Sequence, residues 1–342
     1  MATVETPIKI LSIDGGGMRG LIPAMIIQRI DELITRRLSK EGRPPQLLSS
    51  FFDIIAGTST GAIIAVGLTG RKERSRVLAS PNDLIKFYLE DAAQVFRGHR
   101  LGLMGPKYEP SGLKKRFAEI CGDALLSDVA TNLIVPTFVG NGAFLFRGGP
   151  NWPPGSQPNY RLRDVLLAAT AAPYLFPPVR ITEIGQQVTR SFIDGGLFAN
   201  NPSLHAYLEA RELFGNSRQI LLVSLGTGND FRPIDYHVAR GWGIFGWLNP
   251  RLKLPLIQVL MQGQSHDTHG NLQRLIPDQR WYVRLDVHTR GSLPSFDDAS
   301  PAGVQGFCKL ADDFIAQREE DLVSLSNRLV EMAATGRPNK PR

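Results

Sequence analysis

Residues 52–66 read FDIIAGTSTGAIIAV, which places an apolar strand pattern, a Gly-x-Ser-x-Gly pentapeptide and an apolar helix pattern in direct succession. A serine on so tight a strand-to-helix turn has its Oγ lifted out of the sheet, beside the positive end of the helix. Gly57 and Gly61 lack the Cβ atoms that would collide in such a turn. The pattern predicts a nucleophile elbow with Ser59 as the candidate nucleophile, although a merely structural turn of small residues fits it equally well.

A second glycine-rich turn lies in residues 8–20, IKILSIDGGGMRG, between a β-rich run and a helical pattern. The amides of consecutive glycines converge on one point, so this turn can hold a phosphate or an oxyanion. Met18-Arg19 stand where a Walker loop needs Lys-Ser/Thr, which excludes that motif. A dinucleotide fingerprint matches formally, but the candidate ribose partners Asp31 and Glu32 fall inside a predicted helix instead of a second strand.

A third segment, residues 191–202, reads SFIDGGLFANNP and places Asp194 at the end of a short apolar run. Asp-Gly is a common turn dipeptide, so Asp194 fits a structural role in a turn. It also fits the role of a base for Ser59, which lies 194 − 59 = 135 residues earlier in the chain. Only the fold can bring these two residues together.

Together the three segments resemble the patatin-like phospholipases. The motifs DGGGMRG at 14–20, GTSTG at 57–61 and DGG at 194–196 occur in that family's order and approximate spacing. Two more stretches are similar to the family, AATAAPYLFPP at 168–178 and VSLGTG at 223–228. The similar segments extend over about residues 8–270.

The resemblance implies a Ser-Asp dyad that uses no histidine, no catalytic metal and no cofactor. An ordinary aspartate has a pKa of about 3.9 and is a weak base for a hydroxyl, so the base must be buried to gain proton affinity. The implied roles are nucleophile for Ser59, base for Asp194, an elbow flanked by Gly57 and Gly61, and an oxyanion hole made by the backbone of Gly15, Gly16 and Gly17 with Arg19 in support.

A Ser-His-Asp α/β-hydrolase is the rival hypothesis for an enzyme. Its order of serine, acid and histidine leaves five candidates, none of them in a glycine-rich setting. His266 and His269 are three residues apart, but zinc needs further ligands and no His-Glu-x-x-His pattern is present. The candidate histidines are His205, His237, His266, His269 and His288.

Composition favours one α/β domain over residues 1–335 and a disordered tail over 336–342, in a chain of 342 residues with 42% hydrophobic residues and 34 glycines. The two scattered cysteines, Cys121 and Cys308, favour a reducing cytosol. No secretory signal and no apolar run of about 18 residues is present. We therefore expect a cytoplasmic protein, peripheral at the inner membrane surface.

The net charge of +7, from 39 Lys and Arg against 32 Asp and Glu, favours approach to an anionic phospholipid surface or an anionic effector. Nucleic acid is not expected as a partner, since no recognised binding motif accompanies the charge. Residues 241–256, GWGIFGWLNPRLKLPL, set Trp242, Phe245, Trp247 and Leu248 beside Arg251 and Lys253. This mixture suits an interfacial contact or a mobile lid, and an ordinary loop packed on the core is the alternative.

The expected architecture is a three-layer α/β/α sandwich around a mostly parallel sheet, in which Ser59 and Asp194 meet at the carboxyl ends of strands. The patterns predict strands over residues 8–13, 51–56, 132–139, 142–147, 188–193, 219–224 and 281–286, and helices over 21–40, 60–68, 82–95, 111–120, 161–172 and 309–332.

Two classes of function follow. The first is a phospholipase that releases fatty acids from membrane glycerophospholipids. The second is a patatin-fold protein whose main role is signalling or ligand binding. Patatin-like enzymes of bacterial anti-phage systems are similar in size and are switched on by cyclic oligonucleotides, so the resemblance also implies a cyclic-nucleotide activator and an antiviral role. An oligomer is compatible with either class.

Overall fold

A computed structural model describes residues 6–69, 80–91, 95, 105–153, 155–230, 234–249, 254–289 and 291–335. The strands are β1 (Ile8–Ile13), β2 (Ile54–Gly57), β3 (Asn132–Val139), β4 (Gly142–Gly148), β5 (Val179–Thr182), β6 (Thr189–Asp194), β7 (Ile220–Leu225), β8 (Asn229–Asp230), β9 (Tyr282–Leu285) and β10 (His288–Thr289). The helices are α1 (Leu21–Lys40), α2 (Thr60–Thr69), α3 (Pro81–Lys86), α4 (Ser111–Cys121), α5 (Leu162–Ala169), α6 (Gly196–Ala199), α7 (Ser203–Phe214), α8 (Tyr236–Ala239), α9 (Ile244–Trp247), α10 (Pro255–Leu275), α11 (Pro301–Gln317) and α12 (Glu319–Thr335).

The central sheet of the described residues has eight strands in the order β5-β6-β3-β2-β1-β7-β9, with β4 added on β3. The pairs β3–β2, β2–β1, β1–β7 and β7–β9 are parallel. The pairs made by β4, β5 and β6 are antiparallel. The predicted α/β class with a mostly parallel sheet is confirmed.

Alternating side chains of β1 show why the sheet carries helices on both faces. Ile8 and Ile10 pack with α7 and α10 in one apolar core. Leu11 and Ile13 pack in a second, larger core with α1, α2, α11 and α12. A strand buried on both faces reads as a nearly continuous apolar run, which is how the sequence of β1 appears.

The pairing of β3 brings two strand ends together. β4 occupies one edge of β3 along residues 133–139, so β2 and β6 must share the other edge. There β2 runs parallel to β3 and pairs with residues 132–134, whereas β6 runs antiparallel and pairs with residues 137–139. The carboxyl ends of β2 and β6 therefore point at each other along one edge.

A close approach fills the gap between these two ends. A Cβ on Gly195 would lie 2.4 Å from the carbonyl oxygen of Pro136, so only glycine lets the chain pass this close to β3. Asp194 ends β6 and Ser59 lies two residues after β2. Ser59 and Asp194 thus lie at the ends of two strands, as expected, but these strands, β2 and β6, run antiparallel and end toward each other.

Most predicted elements occur within a few residues of their expected bounds, including the β3–β4 hairpin, which turns at Gly140-Asn141 between Val139 and Gly142. The single helix predicted over 309–332 is wrong. The chain forms α11 and α12, interrupted at Arg318. Acidic residues fill the first turn of α12, where they interact favourably with the helix dipole and support a new start. Both helices pack on α1.

Several expectations fall outside the described residues. These are the tail over 336–342, the side chains of Arg251 and Lys253, and part of the end of the helix predicted over 82–95. Among the helices of the described residues, none has the length and apolar character needed to cross a membrane.

Candidate active site

The turn between β2 and α2 holds Ser59 in a left-handed backbone conformation, with φ of 54°. The amides of Gly61 and Ala62 donate to the carbonyl oxygens of Thr58 and Ser59, at 2.7 and 2.9 Å, and start the helix at once. Positive φ is uncommon for a residue other than glycine and is often found at functional sites. Ser59 is half-buried, whereas Thr58 and Thr60 are buried, so the turn presents the serine toward accessible space.

Gly57 and Gly61 allow the backbones of β1, β2 and the start of α2 to approach one another closely. A Cβ on Gly57 would lie 2.1 Å from the carbonyl oxygen of Gly61. A Cβ on Gly61 would lie 2.3 Å from the carbonyl oxygen of Ile13 in β1. Any side chain at either position would push the elbow away from the sheet.

Asp194 lies against this elbow and is 4% exposed. The amide of Gly196 donates to its Oδ1 at 2.7 Å, and the Ser59 hydroxyl lies close enough to the carboxyl to act on its pKa. Burial is the largest influence and raises the pKa of Asp194 from 3.8 to about 6, although the Ser59 hydroxyl and the Gly196 amide both lower it. This is the desolvation that a carboxylate base needs in order to act on a hydroxyl.

The glycine loop after β1 offers fewer free amides than the sequence suggested. The amide of Gly15 donates to the carbonyl oxygen of Asn200 at 2.9 Å, so the expectation that Gly15 donates into an oxyanion hole needs correction. The amide of Met18 donates to the carbonyl oxygen of Phe296 at 2.7 Å. No acceptor is recorded for the amides of Gly16 and Gly17 within the described residues.

Gly17 is the loop residue that faces the site, because it lines both cavities that reach Ser59. Its φ is +59°, and a Cβ there would lie 2.2 Å from the carbonyl oxygen of Phe296. A Cβ on Gly16 would lie 2.3 Å from Oγ1 of Thr227. The Thr227 hydroxyl donates to the carbonyl oxygen of Gly15 at 2.7 Å, which fixes the loop from the β7 side.

Charged side chains also hold the glycine loop in place. Arg19 is buried, and its Nε donates to the carbonyl oxygen of Gly16 at 3.3 Å. Burial lowers the pKa of Arg19 to about 10, so it remains charged at neutral pH. Arg284 of β9 donates to both carboxylate oxygens of Asp14 at 2.8 and 2.7 Å, and also to Asp286 at 2.9 Å. Arg19 therefore acts as a support of the loop.

The segment that follows Asp194 makes hydrogen bonds to all three motifs. Its Gly196 amide binds the Asp194 carboxylate, and the carbonyl oxygen of Ala199 accepts from the Thr58 hydroxyl at 2.6 Å. The carbonyl oxygen of Asn200 accepts from Gly15, as described above. Asp194, the turn that carries Ser59 and the glycine loop are thus all hydrogen-bonded to the segment 194–200.

Two apolar cavities, each of about 50 Å³, meet at Ser59 and Gly17. The outer cavity also contacts Asp194 and is lined by Leu254, Ile257 and Met261 of the α10 region. The inner cavity extends into the core, and its lining includes Ile63, Phe87, Tyr88 and Leu113. An uncharged, hydrocarbon-like group fits this lining better than a polar one.

No histidine lines either cavity within the part of the chain that the structure describes. His205 packs on Phe198, with ring centroids 5.5 Å apart, and His269 shares a hydrogen bond of 2.9 Å with the Tyr282 hydroxyl. Within the described residues, no three or more His, Cys, Asp or Glu side chains are grouped so that they could hold a metal ion.

Sequence reasoning did not assign roles to Asn200, Thr227, Phe296 or Arg284. Asn200 and Thr227 lie inside stretches that resemble the family, NNP after the third motif and LGTG after β7, so a signal was present. Phe296 and Arg284 stand in segments without a motif. They act through a backbone carbonyl and an ion pair to the loop, and neither has a local signature.

Comparison with known proteins places this arrangement in a family. The family model "Patatin-like phospholipase" matches residues 11–207, which contain all three motifs. Patatin-like protein 2 of Arabidopsis thaliana is 30% identical over 343 residues, covering 90% of this chain and 83% of that protein. The chain belongs to the patatin-like phospholipase family, a family of lipid acyl hydrolases.

Two further relatives and one solved structure are similar to this chain. Patatin-like protein 2 of Oryza sativa subsp. indica is 28% identical, covering 96% of this chain and 89% of that protein. A protein of Solanum tuberosum named probable inactive patatin-3-Kuras 1 is 27% identical, covering 89% of this chain and 85% of that protein. Among solved structures, VipD from Legionella pneumophila matches with a TM-score of 0.37 at 14% identity, covering 90% of this chain and 67% of that one.

Proposed function

We propose that this protein is a phospholipase that hydrolyses acyl esters of membrane glycerophospholipids, with Ser59 as the nucleophile and Asp194 as the base. One observation carries the proposal. The buried Asp194 carboxyl, whose pKa is raised to about 6, lines the same cavity as Ser59, which lies on a turn with positive φ, and is near enough to the Ser59 hydroxyl for that group to act on its pKa. A base whose pKa is close to the working pH is suited to general acid–base catalysis.

The first half-reaction makes an acyl-enzyme. Asp194 takes the proton of the Ser59 hydroxyl as Oγ bonds to the ester carbonyl carbon. The carbonyl π electrons move to the carbonyl oxygen, where the amides of Gly16 and Gly17 and the N-terminus of α2 stabilise the negative charge. When the tetrahedral intermediate collapses, the bond to the alcohol oxygen breaks, and Asp194 returns its proton to that oxygen. The lyso-lipid leaves.

The second half-reaction repeats these steps with water. Asp194 accepts a proton from water while the water oxygen bonds to the acyl carbon. Collapse of the second intermediate breaks the bond to Ser59 Oγ, which takes the proton back from Asp194. The fatty acid is released and the dyad returns to its starting state.

The cavities support a long-chain acyl ester as substrate. Both branches that meet at Ser59 are apolar, which suits an acyl chain on one side of the scissile bond and the lipid body on the other. A volume of about 50 Å³ holds only about two water molecules, so side chains must move before a whole chain enters. Met261 and Leu254 line the outer branch, and methionine is readily displaced.

The test measures fatty acid released from phospholipid vesicles by the wild type, Ser59→Ala and Asp194→Asn. Loss of the base should slow turnover by about 100- to 10,000-fold, and loss of the nucleophile by at least as much. Ser50→Ala and Asp312→Asn serve as matched controls, because both side chains are exposed and far from the site in the fold. Labelling by a fluorophosphonate probe should be lost in Ser59→Ala alone among the serine variants.

The outcome that contradicts the dyad is also defined. If Asp194→Asn kept full activity while His205→Ala lost it, a histidine triad would replace the proposed mechanism. The relative named inactive shows why a direct test is needed, since membership of the family does not by itself establish activity. Activation by a cyclic nucleotide and an antiviral role stay predictions from the resemblance.

A further inference from the structure

Exposed apolar side chains are concentrated in one region of the molecule. Of the fifteen large apolar side chains that are exposed among the described residues, nine lie within residues 234–260. Phe245 is 83% exposed and Ile244 is 68% exposed, although both belong to the short helix α9. We call these nine side chains the outer apolar face, formed by Ile234, Tyr236, Val238, Ile244, Phe245, Leu248, Leu256, Val259 and Leu260.

Local packing holds the outer apolar face in place. Trp242 and Trp247 pack edge to face with ring centroids 5.2 Å apart, and a Cβ on Gly246 would lie 2.6 Å from the Trp242 ring. α9 therefore packs on the Trp242 ring through Gly246, while Ile244 and Phe245 are exposed to solvent. The amide of Leu254 donates to the carbonyl oxygen of Asn249 at 2.9 Å, which ties α9 to the start of α10.

This face continues into the entrance of the candidate active site. On α10, Ile257 and Met261 are one turn apart and line the outer cavity, which reaches Ser59. Leu256 and Leu260, each one position earlier, are exposed. Neighbouring positions on a helix are about 100° apart, so the exposed stripe adjoins the stripe that lines the cavity. A molecule lying on the outer apolar face would be at the mouth of the site.

Residues 236–265, which form most of this face, carry basic side chains and no carboxylate side chain. Arg240 is exposed beside α8. The nearest described carboxylate in the chain, Asp235, caps α8 through the amides of His237 and Val238. Exposed aromatic and aliphatic side chains next to basic residues are typical of segments that insert into the headgroup region of a bilayer.

From this continuity and this charge we infer that the outer apolar face docks on an anionic phospholipid bilayer and presents its lipids to Ser59. The inference rests on the proposed function for the identity of the substrate. A second copy of this chain on the same face would cover the entrance instead of supplying it.

Vesicle binding is measured in a Ser59→Ala background, so that lipids stay intact. The docking variant carries Ile244→Ser and Phe245→Ser, and the control carries Leu47→Ser, an exposed leucine that precedes β2 and so lies at the other end of the sheet. Co-sedimentation with vesicles of phosphatidylcholine and phosphatidylglycerol should fall by about tenfold or more in the docking variant and stay unchanged in the control. Vesicles of phosphatidylcholine alone should bind less protein than the anionic ones.

Activity separates docking from chemistry. With Ser59 present, the docking variant should lose vesicle hydrolysis by the same factor while its rate on a soluble short-chain ester stays unchanged. If the wild type hydrolysed neither substrate but Ser59→Ala still bound vesicles through this face, the proposed function would fail and docking would stand. Unchanged vesicle binding by the docking variant would overturn the inference.

A second measurement does not depend on the folding of the docking variant. Lipids brominated in the acyl chain quench nearby tryptophans, so they should quench Ser59→Ala, and replacing Trp242 and Trp247 by Phe should remove most of that quenching. Trp281→Phe should keep it, because Trp281 packs against Arg328 of α12. Quenching that survives loss of Trp242 and Trp247 would contradict docking here. The inference would also be contradicted if the docking variant lost self-association, measured by sedimentation velocity, but kept its vesicle binding.

Discussion

Replacing the proposed base should make the protein more stable. Asp194 is 4% exposed, and its pKa of about 6 lies well above the 3.8 of an ordinary aspartate. A raised pKa means that the folded chain holds this proton more tightly than the unfolded chain does, so ionisation of Asp194 destabilises the fold. Asp194→Asn removes that ionisation while keeping a side chain of the same shape.

The size of the effect follows from the rise in pKa. Going from 3.8 to about 6 corresponds to about 3 kcal/mol, at about 1.4 kcal/mol for each pKa unit. An amide Oδ1 can still accept from Gly196, and the amide nitrogen can donate to Ser59. Some of the gain is lost to an imperfect fit, so we expect a stabilisation of about 1–3 kcal/mol above pH 6. The gain should shrink as the pH falls through 6 toward 4, and below about pH 3, where the carboxyl is protonated in both states, it should vanish.

Urea unfolding of the wild type and Asp194→Asn at pH 4 and pH 8 measures this difference. The expected result is a gain in the free energy of unfolding at pH 8 that shrinks toward zero at pH 4. Asp312→Asn, at an exposed position, should show neither effect. An Asp194→Asn protein less stable than the wild type at pH 8, or a gain equal at both pH values, would refute the argument from burial.

Two further predictions concern the same site. The kcat/KM for a soluble ester should rise with pH through about 6, because Asp194 must be ionised to accept a proton, and an inflection that moved in His205→Ala would point to another base. Gly17→Ala should lower the free energy of unfolding by clearly more than Gly42→Ala and should also lower activity, as measured by urea unfolding and ester hydrolysis. Both glycines have positive φ, but a Cβ meets a carbonyl oxygen at 2.2 Å in Gly17 and nothing within 4 Å in Gly42, so equal losses would show that the contact with Phe296 is unimportant.

Much of the fold was predictable because its core strands are buried on both faces. Runs such as residues 8–13 and 219–224 are mostly apolar, and the glycine motifs mark where the strands end. The break at Arg318 was not predictable from hydrophobic periodicity. The apolar stripe continues across it through Phe314 and Leu322, which both lie in the core on which α1 packs.

The candidate site was predictable in its residues but not in its arrangement. Local patterns select Ser59, Asp194 and the glycine loop, yet nothing local tells that the amide of Gly15 is already bonded to Asn200. That bond joins residues about 185 positions apart and depends on how the third motif folds back. The same holds for Arg284, whose ion pair with Asp14 needs β9 to lie beyond β7 in the sheet.

In the proposed mechanism an aspartate acts without a histidine, and the way β2 and β6 end toward each other supplies the geometry for it. The two strands end on one edge of β3, and the close passage of Gly195 against Pro136 leaves the Asp194 carboxyl beside the turn that carries Ser59. In a triad, an imidazole would stand between these groups, and its pKa of about 6.5 would supply the base. Burial gives Asp194 a pKa of about 6, so the carboxylate has nearly the proton affinity of an imidazole. The fold keeps the ionised Asp194 carboxylate out of water. This burial raises the pKa of Asp194 and lowers the stability of the folded chain.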